Sequence, residues 1–236
     1  MTSRPAPAVT PTIVFGIAFG WVEAAVVVYL RRLYYPGGFR FPLENLPADL
    51  ALVELVRELA TLVMLGALGW AGARTAWGRF GLFAVAFGVW DLVYYAGLWI
   101  ALGWPAALGD WDVLFLVPGI WTGPVWAPGL VAALLVVCGA VLFRRGEAGT
   151  LAQPRAHHWI MAAGSLIAVV GAFLANHDPV FQGGMPGPFP VALFVSGVAV
   201  GLAAFADIVR VRSAAAVPRT TGAVRSGNTP APPPSG

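Results

Sequence analysis

The chain has 236 residues, of which 58% are apolar and 11% are charged, and its mean hydropathy is +0.77. These values exclude a soluble globular domain of this length. The 14 basic residues are all arginines, which indicates the coding bias of a GC-rich genome, so the net charge of +3 does not indicate a nucleic-acid partner. Cys138 is the single cysteine, which excludes a disulfide framework or a thiolate metal site built within one chain.

Six apolar runs are long enough to cross a membrane, since a hydrocarbon core of about 30 Å needs roughly 20 residues of helix. They cover residues 11–30, 50–73, 80–102, 113–143, 159–176 and 190–209. The sequence therefore predicts an all-α, polytopic transmembrane bundle of about six spans. We expect residues 1–10 to form a cytoplasmic tail and residues 11–212 a single transmembrane domain. Residues 213–236, rich in Ala, Pro, Gly, Ser and Thr, are expected to form a disordered cytoplasmic tail.

The fourth run is too long for one crossing and contains three prolines, each of which removes a helical hydrogen bond. They are Pro118, Pro124 and Pro128. We therefore predict a broken segment over residues 111–121, re-entrant or interfacial, that leads into a helix near Val125. The alternative is one long tilted helix with a kink.

The arginines predict the orientation, because positive charge is retained on the cytoplasmic side. With six spans, one side of the membrane collects ten arginines: Arg4, Arg74, Arg79, Arg144, Arg145, Arg155, Arg210, Arg212, Arg219 and Arg225. The other side has three: Arg31, Arg32 and Arg40. Both termini are therefore expected in the cytoplasm. Because Arg31 and Arg32 end the first run as stop-transfer flanks do, that run is a span and not a signal peptide.

Five ionisable side chains lie inside the first three predicted spans, where such groups mark function by default. They are Glu23, Glu54, Arg57, Glu58 and Asp91. Glu23 lies about 12 residues above the cytoplasmic start of its span, or roughly 18 Å, and Asp91 lies at a similar height. Arg57 and Glu58 come about 11 Å below the outer end of the second span. We therefore predict that these side chains converge in one polar pocket in the outer half of the membrane.

One arginine cannot neutralise four carboxylates, so some carboxyl groups are expected to hold protons or to bind a cation. The first case would serve proton relay or acid catalysis, and the second would be a cation site. The alternative is structural: Arg57 and its neighbouring acids only fix the packing of the helices.

The first and third spans share a pattern, which reads AFGWVE at residues 18–23 and AFGVWD at residues 86–91. This pattern is consistent with a duplicated two-helix unit of parallel topology. Tyr94 and Tyr95 follow Asp91 on the same helix, and a phenol near a carboxyl can bond it or relay its proton. Both tyrosines are therefore further candidates for a binding site.

Weaker candidates lie outside the spans. Asp112, His177 and Asp178 are secondary candidates for the outer side, where the His177–Asp178 pair could add a ligand or base above the acidic cluster. Asp207 and Arg210 have the spacing of a helix-end pair. The sequence contains no phosphate loop, dinucleotide fingerprint, zinc-protease signature or nucleophile elbow, and its three histidines do not suit haem or a His-rich zinc site.

Three stretches resemble a family of uncharacterised bacterial multi-pass membrane proteins. They read FGVWDLVYY at residues 87–95, GWP at 103–105, and WDVLFLVP followed by GPVWAP within residues 111–128. The resemblance covers roughly the first 140 residues. It implies an integral protein of a bacterial cytoplasmic (inner) membrane, and it implies no activity, cofactor or catalytic residue.

Three functional classes remain open. The first is a small transporter or ion-coupled carrier that binds a proton, cation or charged solute at the carboxylate and arginine site. The second is a membrane-embedded enzyme that acts on a lipophilic substrate by carboxyl acid–base chemistry. The third is a structural or assembly protein. The sequence sets neither the oligomeric state nor the identity of any metal or cofactor.

Overall fold

The computed structural model describes residues 8–44 and 47–210. In these ranges it contains seven helices and two strands: α1 (Val9–Tyr34), α2 (Ala48–Gly72), α3 (Ala76–Leu102), β1 (Trp111–Phe115), β2 (Trp121–Pro124), α4 (Trp126–Glu147), α5 (Ala156–Leu174), α6 (His177–Phe181) and α7 (Val191–Arg210). The predicted disordered tail at 213–236 and most of the N-terminal tail lie outside the described residues.

The chain is a multi-pass membrane protein with a helical bundle, as the sequence predicts. In the described part, five helices are long and apolar enough to cross a membrane: α1, α3, α4, α7 and the continuous stretch Ala156–Phe181 that begins with α5. The remaining predicted span is the second one, α2, which has 25 residues but carries Asp49, Glu54, Arg57 and Glu58 in its first half. Large apolar side chains remain exposed on the outer faces of the bundle, as expected for surfaces that contact lipid.

Helix α3 is the central helix of the first half of the fold, and α1, α2 and α4 pack against it. It begins where the Thr75 side chain accepts the Gly78 N–H, and it ends at Gly103, which adopts a left-handed conformation. On α1, Gly16 lies against Val89 and Gly20 against Val93, so the two helices run parallel.

Glycines bring the backbones of α3 and α4 into direct contact. A Cβ atom at Gly88 would lie 2.4 Å from the Ala132 carbonyl oxygen, and one at Gly81 would lie 2.6 Å from the Gly139 carbonyl oxygen. Close approach of this kind replaces the hydrophobic effect as a source of helix association in lipid. Gly88 therefore allows close contact with α4. Gly20, at the matching position of the shared pattern, allows close contact with α3. The proposed duplication remains a prediction.

The helices α5 and α7 form a second pair, which joins the first through an aromatic cluster beside the strands. Phe173 of α5 stacks on Trp121 of β2, and Phe194 of α7 packs edge-on against Trp126 at the start of α4. This cluster fixes the position of the strands relative to both halves of the bundle.

The broken segment of the fourth run is a two-stranded antiparallel hairpin. Its register pairs Asp112 with Gly123 and Val113 with Thr122, and an irregularity follows before Phe115 pairs with Trp121. The helix then begins at Trp126, close to the predicted Val125. The break and its end are thus confirmed, the alternative of one long kinked helix is wrong, and the strand conformation is a feature the sequence analysis did not foresee. Pairing within the hairpin satisfies backbone groups that the prolines prevent a helix from satisfying.

Candidate functional site

A cavity of about 430 Å³ lies between α1, α2, α3 and the hairpin. Eight of the residues singled out in the sequence line it: Glu23, Glu54, Arg57, Glu58, Asp91, Tyr94, Tyr95 and Asp112. The parallel course of α1 and α3 explains part of this convergence, since it sets Glu23 and Asp91 at similar heights on neighbouring helices. A binding role for these residues remains a prediction.

The first ionic group links α1 to α2. Arg57 pairs with Glu23 of α1, and its guanidinium also bonds Glu54 one turn away at 2.8 and 2.9 Å. The Thr61 hydroxyl donates to the other Glu23 oxygen at 2.7 Å. Spacings of three and four residues place Glu54, Arg57 and Thr61 on one face of α2, which is why a single arginine reaches both acids.

The second ionic group ties the end of α1 to the hairpin. Arg31 bonds Asp112 at 2.7 Å, and its guanidinium lies over the rings of Trp104 and Phe39, 3.7 and 4.2 Å from the ring centroids. Arg31 is 6% exposed and Asp112 is 1% exposed. Arg31 is therefore a buried member of the site, and its interpretation as a flanking loop charge is wrong. Asp112 is likewise buried and does not lie in an open outer loop.

Burial raises the pKa of the Asp112 carboxyl, and the positive charge of Arg31 opposes that rise. Asp112 Oδ2 and one terminal nitrogen of Arg31 have no hydrogen-bond partner among the described protein groups. Tyr94 and Tyr95 lie close to the same carboxyl. The polar atoms of this pair are therefore not all satisfied, and both residues line the cavity.

Of the carboxyls that line the cavity, Glu44, Glu58 and Asp91 have no arginine partner among the described residues, and Glu58 and Asp91 are the buried ones. The Leu116 N–H donates to both Glu58 oxygens at 2.9 and 3.1 Å, which anchors the hairpin to α2. Asp91 is 9% exposed, lines the cavity, and makes no hydrogen bond or ion pair with any described residue. An ionised, unpaired carboxyl at such burial is costly unless it takes up a proton or binds a positive ligand.

Aromatic rings form the wall beside Asp91. The Trp90 and Tyr94 rings stack with centroids 6.5 Å apart, Tyr95 meets Tyr94 edge-on at 5.0 Å, and Phe115 of β1 lies 6.4 Å from Trp90. The Trp90 indole N–H is buried without a partner among the described groups. The cavity therefore combines an unpaired carboxyl with several ring faces.

The secondary candidates His177 and Asp178 do not line the cavity. His177 Nδ1 accepts the Ile120 N–H at 2.9 Å, so this side chain positions the hairpin loop. Asp178 is exposed on α6. The neighbouring Val180 and Phe181 border the cavity instead, and they add apolar surface to it.

A separate polar cluster lies between the start of α5 and the end of α7. Asp207 Oδ2 contacts His158 Nε2 at 2.8 Å and His157 Nε2 at 3.4 Å, so the predicted partnership with Arg210 is wrong. Within the described ranges, these three side chains form a group close enough to hold a metal ion. However, His158 Nδ1 accepts the Arg155 N–H, so the neutral ring has its proton on Nε2, where a metal would have to bind. These contacts form a hydrogen-bonded link between α5 and α7.

Comparison with protein-family models, curated proteins and solved structures finds no match for this chain. Sequence reasoning missed Arg31 and Thr61. Thr61 had a usable signal, since it continues the face of α2 that carries Arg57, whereas Arg31 is paired with a residue 81 positions away.

Proposed function

We propose that this chain is a small carrier of a bacterial inner membrane, in which the cavity between α1, α2, α3 and the hairpin binds a cation or a proton. The observation that supports the proposal is Asp91, which lines the cavity at nine-tenths burial and has no hydrogen-bond or ion-pair partner among the described residues. Ionisable groups are retained at such a cost inside membranes where they bind or relay charge.

The charge of the cavity supports a positive ligand. In the part of the chain that the structure describes, six carboxyl side chains and two guanidinium groups line it. Both guanidiniums are already engaged, Arg31 by Asp112 and Arg57 by Glu23 and Glu54. A purely structural set of ion pairs needs neither an additional unpaired carboxyl nor a cavity, so a binding role accounts for more of the arrangement than packing does.

We further propose that both termini are cytoplasmic and that the cavity lies in the outer half of the membrane. The surplus of arginines on the side of the termini supports this orientation. Burial of Arg31 strengthens it, because only Arg32 and Arg40 then remain as exposed basic residues on the opposite side.

A membrane enzyme is the second candidate, and one observation favours it. Asp91 and Asp112 lie close enough for their charges to interact, and paired carboxyls are a common acid–base arrangement. An enzyme of this kind would convert a lipophilic substrate without moving charge across the membrane, so a transport measurement separates the two proposals.

Transport can be measured as current from proteoliposomes on a solid-supported membrane after jumps in pH, Na⁺, K⁺ or an organic ammonium ion. We expect a saturable current for at least one of these ions. Asp91→Asn should reduce it about tenfold or more, because the variant keeps the size of the side chain and loses its charge. Asp178→Asn, at an exposed position outside the cavity, is the matched control and should leave the current unchanged. The carrier proposal is wrong if no ion gives a current, or if Asp91→Asn transports as well as wild type.

A further inference from the structure

The dimensions of the cavity select among positive ligands. Its volume of about 430 Å³ falls in the range of about 300–1,000 Å³ that small organic molecules occupy in proteins, and it exceeds the space that a bare ion needs. The carboxyls are also distributed over four elements, with Glu23 on α1, Glu58 on α2, Asp91 on α3 and Asp112 on β1. A metal ion would instead require several of these oxygens to converge on one point.

The walls of the cavity match a ligand with an apolar body. Trp90, Tyr94, Tyr95 and Phe115 line the same cavity as Asp91 and contact one another, and Val180 and Phe181 add apolar surface from α6. Aromatic faces attract cations because the quadrupole of the neutral ring makes its face partially negative, and the attraction is stronger where water is excluded. The same protein already uses this interaction internally, since Arg31 is held between the rings of Phe39 and Trp104.

We infer that the ligand of the cavity is an organic cation, an amine or quaternary ammonium with an aromatic or similarly apolar body, whose charge pairs with Asp91 while its body lies against Trp90 and Tyr94. This inference rests on the proposed carrier function for its biological meaning. The binding it describes can be tested without any transport.

The direct test is isothermal titration calorimetry on protein in lipid nanodiscs, with empty nanodiscs as the reference for partition into lipid. Benzyltrimethylammonium and tetraphenylphosphonium are suitable probes because their charge does not change with pH. Neopentylbenzene has the shape of the first probe without its charge, and tetramethylammonium has the charge without the ring. We expect saturable binding of at least one aromatic cation, about tenfold or more tighter than that of either comparison compound.

Variants test separately whether the Asp91 carboxyl and the Tyr94 ring contribute to binding. Asp91→Asn should weaken binding of the aromatic cation about tenfold or more, while Asp178→Asn should not change it. Tyr94→Leu should weaken binding and Tyr94→Phe should retain it, because the ring face and not the hydroxyl makes the contact. The tyrosine pair keeps the test decisive if Asp91→Asn does not fold.

The outcomes are distinguishable. Absence of saturable binding for both aromatic cations would overturn the inference, as would equal binding of neopentylbenzene or equal affinities in the Tyr94→Leu variant and wild type. Binding that depends on Asp91 and Tyr94, together with no ion current in any condition, would uphold the ligand class and refute the carrier. Currents driven by protons or Na⁺ without binding of either probe would uphold the carrier and refute the ligand class.

Discussion

Replacing Arg31 with Met is expected to destabilise the protein by about 3–5 kcal/mol, because the change leaves Asp112 buried without its ion-pair partner. Asp112 is 1% exposed and Arg31 provides its ion pair at 2.7 Å, so the carboxylate would stay almost fully buried without the positive charge that now offsets its own. The measurement is the free energy of unfolding in a mixed-detergent titration, followed by circular dichroism.

Arg32→Met is the matched control, since Arg32 is the next residue of the same helix and is exposed. We expect it to change the free energy of unfolding by no more than about 0.5 kcal/mol. The double variant Arg31→Met/Asp112→Leu should recover much of the lost stability, because removing both partners of a buried pair is often tolerated. Equal effects of Arg31→Met and Arg32→Met would show that the buried pair does not exist.

A methyl group at Gly88 is expected to separate α3 from α4 and to destabilise the protein by about 3 kcal/mol, the upper end of the overpacking range. The added Cβ would lie 2.4 Å from the Ala132 carbonyl oxygen, and a backbone atom cannot rotate away as a side chain can. The melting temperature of Gly88→Ala in detergent should therefore fall well below that of wild type.

Gly164→Ala is the control, because a Cβ at this position of α5 would meet no atom within 4 Å. Alanine is the better helix former by about 1 kcal/mol, so this variant should be as stable as wild type or slightly more stable. If Gly88→Ala were equally harmless, α3 and α4 would not be in backbone contact at that position.

The helical part of the fold is predictable from the sequence because the membrane leaves few alternatives. A run of some 20 apolar residues must satisfy its own backbone hydrogen bonds in lipid, and the helix is the local way to do so. The observed α1, α3, α5 and α7 follow the predicted runs closely. The depths of Glu23 and Asp91 could also be compared by counting residues, since a helix has a fixed rise.

The hairpin could not be predicted in the same way. The prolines indicate that a helix is interrupted near Pro118, but they do not specify what replaces it. A strand pair depends on partners that only the folded chain supplies, such as the Phe173 ring against Trp121 and the Glu58 carboxylate that accepts the Leu116 N–H. Strand propensity is correspondingly dependent on context.

The largest omission, Arg31, has the same origin. An arginine at the end of an apolar run is usually a flank at the membrane surface, and the positive-inside count treats it so. Its burial depends on Asp112 and Trp104, both more than 70 residues later in the chain. Local sequence patterns contain no information about such a pairing, so the electrostatic core of the site was visible only in part.

We propose that the cavity is an acidic site that water reaches from the outer side of the membrane, and thiol modification tests this proposal most directly. In a Cys138→Ala background, a cysteine replaces Val27, which lines the cavity, or Leu108, which is exposed in the loop before β1. Intact cells are treated with a trimethylammonium-ethyl or a sulfonato-ethyl methanethiosulfonate, which differ in charge and do not cross the membrane.

At the cavity position we expect the cationic reagent to react about tenfold or more faster than the anionic one, after normalisation to the ratio at Leu108→Cys, because the surplus of carboxylates concentrates cations. Asp91→Asn in the same background should reduce that preference. Equal normalised rates for the two reagents would contradict an acidic cavity. No reaction at Val27→Cys from outside the cell would contradict access of water from the outer side.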